Sequence, residues 1–142
     1  MRRSLSLLAA LLVPAALLSG CDSSTFNDNR LGCDRVHSFS LGNDASGTLD
    51  PGDCQLSDGS AVEFYRFRVS SFRTVYASAT SNTIDPYVEI LDEFGNVIAE
   101  EDNGGSGFSE MTVDLSSGTY YLAVTSFQSG DYGDYVLQTD YQ

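Results

Sequence analysis

Nothing in the chain constrains its fold as much as the run Ala61 to Val69, where Tyr65, Phe67 and Val69 alternate with Arg66 and Arg68. Successive side chains of an extended strand point to opposite faces, so a two-residue period sends the apolar set toward a core and the arginines toward water. The same period recurs in short segments: Val75, Ala77 and Ala79 against Tyr76, Ser78 and Thr80; Val88 and Ile90 about Glu89; Met111, Val113 and Leu115 against Thr112 and Asp114. It is clearest in two late segments, with Tyr120, Leu122 and Val124 as one inward set and Tyr135, Leu137 and Thr139 as the other. Helical periodicity is almost absent beyond Leu31. Between the runs lie Glu93-Phe94-Gly95-Asn96, Asp102-Asn103-Gly104-Gly105, Ser116-Ser117-Gly118 and Ser129-Gly130-Asp131, each offering a residue that tolerates the positive φ of a tight turn. With weaker strands near Val36 to Leu41, Ser46 to Leu49 and Val97 to Glu100, the expectation is an all-β chain of eight or nine strands. A single open sheet of that size leaves an apolar face in water, so the strands are expected to form a two-sheet antiparallel β-sandwich.

Ahead of this region, Arg2 and Arg3 precede an apolar run from Leu5 to Leu18. A basic start, an apolar stretch and small residues before a cut are the parts of a secretory signal, and the run is shorter than the roughly 20 residues that span a bilayer. Residues 1–20 are therefore expected to be removed as a signal peptide. Leu18-Ser19-Gly20-Cys21 resembles the lipobox of bacterial lipoproteins, which implies that the Cys21 thiol is lipidated and that Cys21 becomes the new N-terminus. One acyl chain anchors only marginally, but the two or three on a lipoprotein cysteine hold a protein at the membrane essentially permanently. The expected address is the bacterial cell envelope, extracytoplasmic, with the membrane engaged through the lipid. Residues 21–30 are mostly Asp, Ser, Asn and Thr and read as a flexible tether, and residues 31–142 read as one domain.

Loss of the signal takes away two of the seven basic residues and none of the twenty acidic ones, leaving five arginines, no lysine and a formal charge of −15. Such a chain is repelled by phosphate backbones, which excludes nucleic acid as a partner and favours cations and basic surfaces. With Cys21 carrying lipid, Cys33 and Cys54 remain as an even pair in a compartment that permits disulfides. A bond between them is expected; the alternatives are two free thiols or half a metal site, for which no second Cys or His pair exists.

Taken in order, Gly47-Thr48-Leu49, the stretch Asp53 to Ser60, Glu63-Phe64-Tyr65-Arg66-Phe67, Asp85 to Asp92, Gly95 to Ala99, Glu101 to Gly105, Gly118 to Val124 and Gly133 to Leu137 resemble the bacterial pre-peptidase C-terminal domain. The resemblance spans about Cys33 to Tyr141. It implies a jelly-roll-like sandwich that acts as an accessory or binding module, in some members with calcium and in some with affinity for polymers such as collagen or polysaccharide. The Glu-Pro-Asn-Asn stretch that some calcium-binding members carry before the first strand is replaced here by Asn29-Arg30-Leu31-Gly32-Cys33, and nothing before Leu31 is a peptidase.

Hard cations want several oxygen ligands, and the chain offers carboxylates in turns. The candidate metal residues are Asp58 and Glu63 around the Tyr-Phe strand, and Asp85, Asp92, Asp102 and Asn103 around the central hairpin. The plainer expectation is that these acids cap turns and keep an anchored domain soluble, so no cofactor is assigned beyond a possible calcium ion. Catalysis has no support: His37 is the only histidine and falls in an expected strand, and there is no Gly-x-Ser-x-Gly elbow and no zinc-type cluster. Among the aromatics, Tyr65, Phe67, Tyr87, Tyr120 and Tyr135 are assigned to the core; Phe72, Tyr76, Phe108, Tyr121, Phe127 and Tyr132 are candidates for a ligand-binding face, although cross-strand packing explains most of them without a ligand. The functional expectation is a non-catalytic, lipid-anchored binding or accessory module with a protein or polysaccharide partner; the alternatives are a hydrolase or hydrolase subunit of the envelope, and a structural envelope lipoprotein.

Overall fold

A computed structural model describes residues 31–101 and 107–142. Cys21, the tether and the signal, together with Asp102 and Asn103, lie outside the described residues. The described residues form ten strands: β1 (Val36–Ser38), β2 (Asp44–Leu49), β3 (Cys54–Gln55), β4 (Ala61–Val69), β5 (Arg73–Thr80), β6 (Pro86–Leu91), β7 (Val97–Glu101), β8 (Phe108–Leu115), β9 (Gly118–Ser126) and β10 (Gly133–Tyr141). One sheet has the order β1-β4-β9-β6-β7, with β3 also paired to β4; the other has the order β2-β10-β5-β8. All ladders are antiparallel except β1 on β4, so the expected two-sheet antiparallel sandwich stands with one parallel edge. The tenth strand is the two-residue β3, too short for any period to be read in the sequence.

The inner faces meet in one core, and the alternation selected it correctly: Phe67, Val75, Ile90, Leu122, Tyr135 and Leu137 are each at most 2% exposed. Fully burying an aliphatic or aromatic side chain stabilises by about 1.5–3 kcal/mol, so this interdigitated layer is the main source of stability. Tyr65, Phe67 and Tyr135 lie in it, and Tyr120 packs half-buried at its edge with its hydroxyl donating to the Ser116 carbonyl at 3.0 Å. Tyr87 does not lie there. It precedes Val88 by one residue, so its side chain takes the outer face of the first sheet, where it is half-buried.

That outer face departs from expectation in a second way. It is not simply wet: Val62 and Phe64 of β4, Tyr121 and Ala123 of β9, and Leu91 of β6 form a second apolar cluster with Cys33. Leu31, Val36, Cys54 and Leu56 pack onto it. The segment from Leu31 through β1 and the stretch around β3 thus flank β4 and cover part of this outer face. The Cys33–Cys54 disulfide, with Cα atoms 5.5 Å apart, ties its two parts together.

Candidate functional site

The cover ends in a turn, Leu56 to Ser60, that leads directly into β4. The Gly59 amide donates to the Leu56 carbonyl at 3.0 Å and Gly59 adopts φ +87°, a conformation that favours glycine. Asp58 Oδ1 accepts the Ser60 amide at 2.9 Å, an Asx turn that caps the bend and, helped by the nearby Ser60 hydroxyl, holds the Asp58 carboxyl below its usual range. The Asp58 carbonyl in turn accepts the Ser129 hydroxyl at 3.1 Å, tying the turn to the loop after β9.

Beside this turn the outer face is open. Register places Tyr87 of β6 next to Thr125 of β9 and Thr125 next to Val62 of β4, while Glu89 of β6 pairs with Ala123. The result is a hollow of about 280 Å³, with Thr125 on its floor, Leu56, Asp58 and Ser60 on one wall, Tyr87 and Glu89 on the other, and Ser126 and Phe127 at its end. The Phe127 ring is 59% exposed at the mouth. Besides the Tyr87 phenol, three aliphatic hydroxyls line the hollow and two are spent: Thr125 Oγ1 donates to the Ala61 carbonyl at 2.6 Å and Ser126 Oγ to the Asp85 carbonyl at 3.2 Å. The third is not. Ser60 is 2% exposed, and its Oγ sits beside Asp58 without meeting the geometry of a hydrogen bond to it or to any other group. Asp85, the residue immediately before β6, also holds a buried carboxylate oxygen with no partner. The Glu89 carboxyl is pushed above its usual range first by burial, then by the like charges of Glu100 and Asp58. The geometry therefore concentrates negative charge and an unspent hydroxyl in a small recess with an aromatic rim.

Among the described residues, the acids assigned as metal candidates are not brought together into a group of three or more. Glu63 faces inward, where it accepts the Tyr135 hydroxyl and lies 3.3 Å from His37 Nε2. Tyr135 also meets the Tyr65 hydroxyl at 2.7 Å, and His37 stacks on the Tyr65 ring at 5.0 Å. Burial, countered in part by the Tyr135 hydrogen bond, pushes the Tyr65 phenol up to about 12; burial and the Glu63 hydrogen bond push Tyr135 further up, so both stay protonated. Asp92 accepts the Phe94 and Asn96 amides, both at 2.9 Å, capping the β6–β7 turn, and Asn96 holds its carboxyl below the usual range. Among the described residues no group of three or more His, Cys, Asp or Glu side chains stands close enough to hold a metal ion.

Of the aromatics assigned to a ligand face, Tyr121 is 4% exposed beneath the disulfide-linked cover and is corrected to a core residue. Tyr76 lies half-buried on the outer face of the other sheet, donating to Glu110 at 2.7 Å; Phe108 is half-buried at the start of β8; and Tyr132 is 40% exposed in the loop before β10. These positions share no patch. Phe127 is the only one of the six that lines the hollow.

No protein-family model and no curated protein matches the chain. Among solved structures, the pre-peptidase C-terminal domain of the collagenase from Bacillus anthracis matches with 21% identity and a TM-score of 0.59, over 75% of this chain and 95% of that one. The fold is that of a pre-peptidase C-terminal domain. PliG of Salmonella Typhimurium, a periplasmic inhibitor of g-type lysozyme, matches with 15% identity and a TM-score of 0.49, over 76% of this chain and 99% of that one. In this pre-peptidase-type sandwich Glu89 was legible as an outward residue, but its nearness to Asp58 depends on β9 lying between β4 and β6, an order that no local pattern encodes.

Proposed function

We propose that this chain is a lipid-anchored, extracytoplasmic binding module, non-catalytic, that holds a partner at the surface of a bacterial membrane through the outer-face hollow. The observation that carries the reading is the recess itself: acceptors gathered at an open rim with a buried hydroxyl left unspent. The disulfide is in keeping with an extracytoplasmic location. The only histidine is engaged by Glu63 and the Tyr65 ring. Capture from the native envelope, with and without calcium, tests the module: a partner retained by the wild-type chain and lost on Phe127→Ala supports it, and no retained partner under either condition refutes it.

Two further expected results belong to this reading. Cys21→Ala should release the protein from the membrane fraction or stall its processing, and unchanged fractionation refutes lipidation. Because no three acidic side chains among the described residues stand close enough to share an ion, a chelator is expected to leave the melting temperature unchanged. A fall in melting temperature that added calcium reverses would instead assign the ion a structural role.

A further inference from the structure

We propose that the hollow receives a lysine side chain presented by a partner protein, an inference that rests on reading the chain as a binding module. A lysine offers an apolar stem ending in a compact ammonium with three donors. The hollow matches both parts: Leu56, Tyr87 and the exposed Phe127 ring supply an apolar entrance, and Asp58, Ser60 Oγ and Glu89 supply acceptors. Those acceptors come from the turn before β4 and from the middle of β6. Scattered single acceptors suit an ammonium, whereas a guanidinium fork is best served by one coplanar pair.

The Ser60 hydroxyl is the independent sign of a ligand. Its neighbours Thr125 and Ser126 each satisfy a backbone carbonyl, so the local fold can use its hydroxyls, yet Ser60 is buried and makes no bond. A buried polar group without a partner is destabilising and is uncommon unless something else completes it. A lysine ammonium placed between Asp58 and Glu89 donates to Ser60 Oγ and leaves its proton free to turn toward a carboxylate. It also neutralises the repulsion that Glu89 meets from Asp58 and Glu100. The whole chain favours such a partner, with twenty acidic residues against seven basic ones.

Nα-acetyl-lysine amide titrated into the folded protein, with backbone amide shifts followed by NMR, tests the assignment. The expected result is saturable shifts at Gly59, Ser60, Glu89 and Phe127 with a midpoint in the millimolar range. Nα-acetyl-norleucine amide, which keeps the stem and lacks the charge, should move them little. Glu89→Gln should weaken binding by about ten-fold, and Ser60→Ala by several-fold, as expected for bonds to a charged group. Both variants should melt at or above the wild-type temperature, since one removes a repelled carboxylate and the other an unpartnered hydroxyl, so lost binding cannot be ascribed to lost folding. Equal shifts from the norleucine compound, or full binding by both variants, overturns the inference. So does calcium chloride producing the same shifts at lower concentration than the lysine compound. An envelope partner whose retention survives both substitutions refutes the lysine site and leaves the module reading intact, whereas the absence of any partner refutes the module.

Discussion

Gly47→Ala is expected to lower the unfolding free energy by about 3 kcal/mol or more, because it combines overpacking with the loss of buried hydrogen bonds. Gly47 lies on β2 directly opposite Tyr135 of β10, and both face the interior. The Tyr135 ring crosses over the glycine to reach Glu63 and Tyr65 on the opposite sheet, so a Cβ at position 47 overlaps the end of the phenol and the Glu63 carboxylate. Neither can retreat without cost. Moving the ring strands a buried hydroxyl and leaves the partly buried Glu63 carboxylate with His37 alone. Urea denaturation checks the size of the effect, and a change below about 0.5 kcal/mol, the range of an inconsequential surface substitution, would show that the ring has room to move. The double variant Gly47→Ala with Tyr135→Phe should be less destabilised than the sum of the two, since the hydroxyl lost in the second is one the first collides with.

This pair of residues also shows where the sequence was informative and where it was not. Period-two alternation placed Tyr65 and Tyr135 in the core without any knowledge of pairing, because one buried face forces that phase. The same phase puts Glu63 on the inner side with Tyr65, and a carboxylate there needs partners rather than a metal; that signal was present and was outweighed by its acidic neighbours. The second core was legible in principle as well. Ala61-Val62 and the run Tyr120 to Val124 are apolar at successive positions, which is how a strand covered on both faces reads, but Arg66 and Arg68 draw the eye to a wet face. Arg68 is exposed and Arg66 half-buried, so the face changes character along one strand. What no local pattern holds is the hollow. Asp58 and Glu89 are brought near one another only because β9, from the far end of the chain, inserts between β4 and β6.

Reduction of the Cys33–Cys54 bond is the second large effect expected, and it should act on the outer face before it acts on the sandwich. Its partners are 21 positions apart, and closing a loop of that size stabilises by about 3 kcal/mol on the chain-entropy account. For a domain of this size that corresponds to a fall of roughly 10 °C in melting temperature. The loss is not spread evenly. β1 makes a three-residue ladder and β3 a two-residue one, so without the disulfide the cover is held by these short ladders, the His37 contacts with Glu63 and Tyr65, the Arg35–Asp53 pair and the packing of Leu31, Val36 and Leu56 on the second core. Hydrogen exchange after reduction should therefore accelerate first between Leu31 and Ser38 and between Cys54 and Ser60, while amides of β5, β9 and β10 stay protected up to the global transition. Uniform acceleration across both sheets would show instead that the cover and the sandwich unfold as one unit. Since the cover ends in the turn that carries Asp58 and Ser60, reducing agent should also abolish the lysine-dependent shifts at temperatures where the sandwich is still folded. The disulfide would then be what keeps the hollow in shape, and not only what keeps the domain stable.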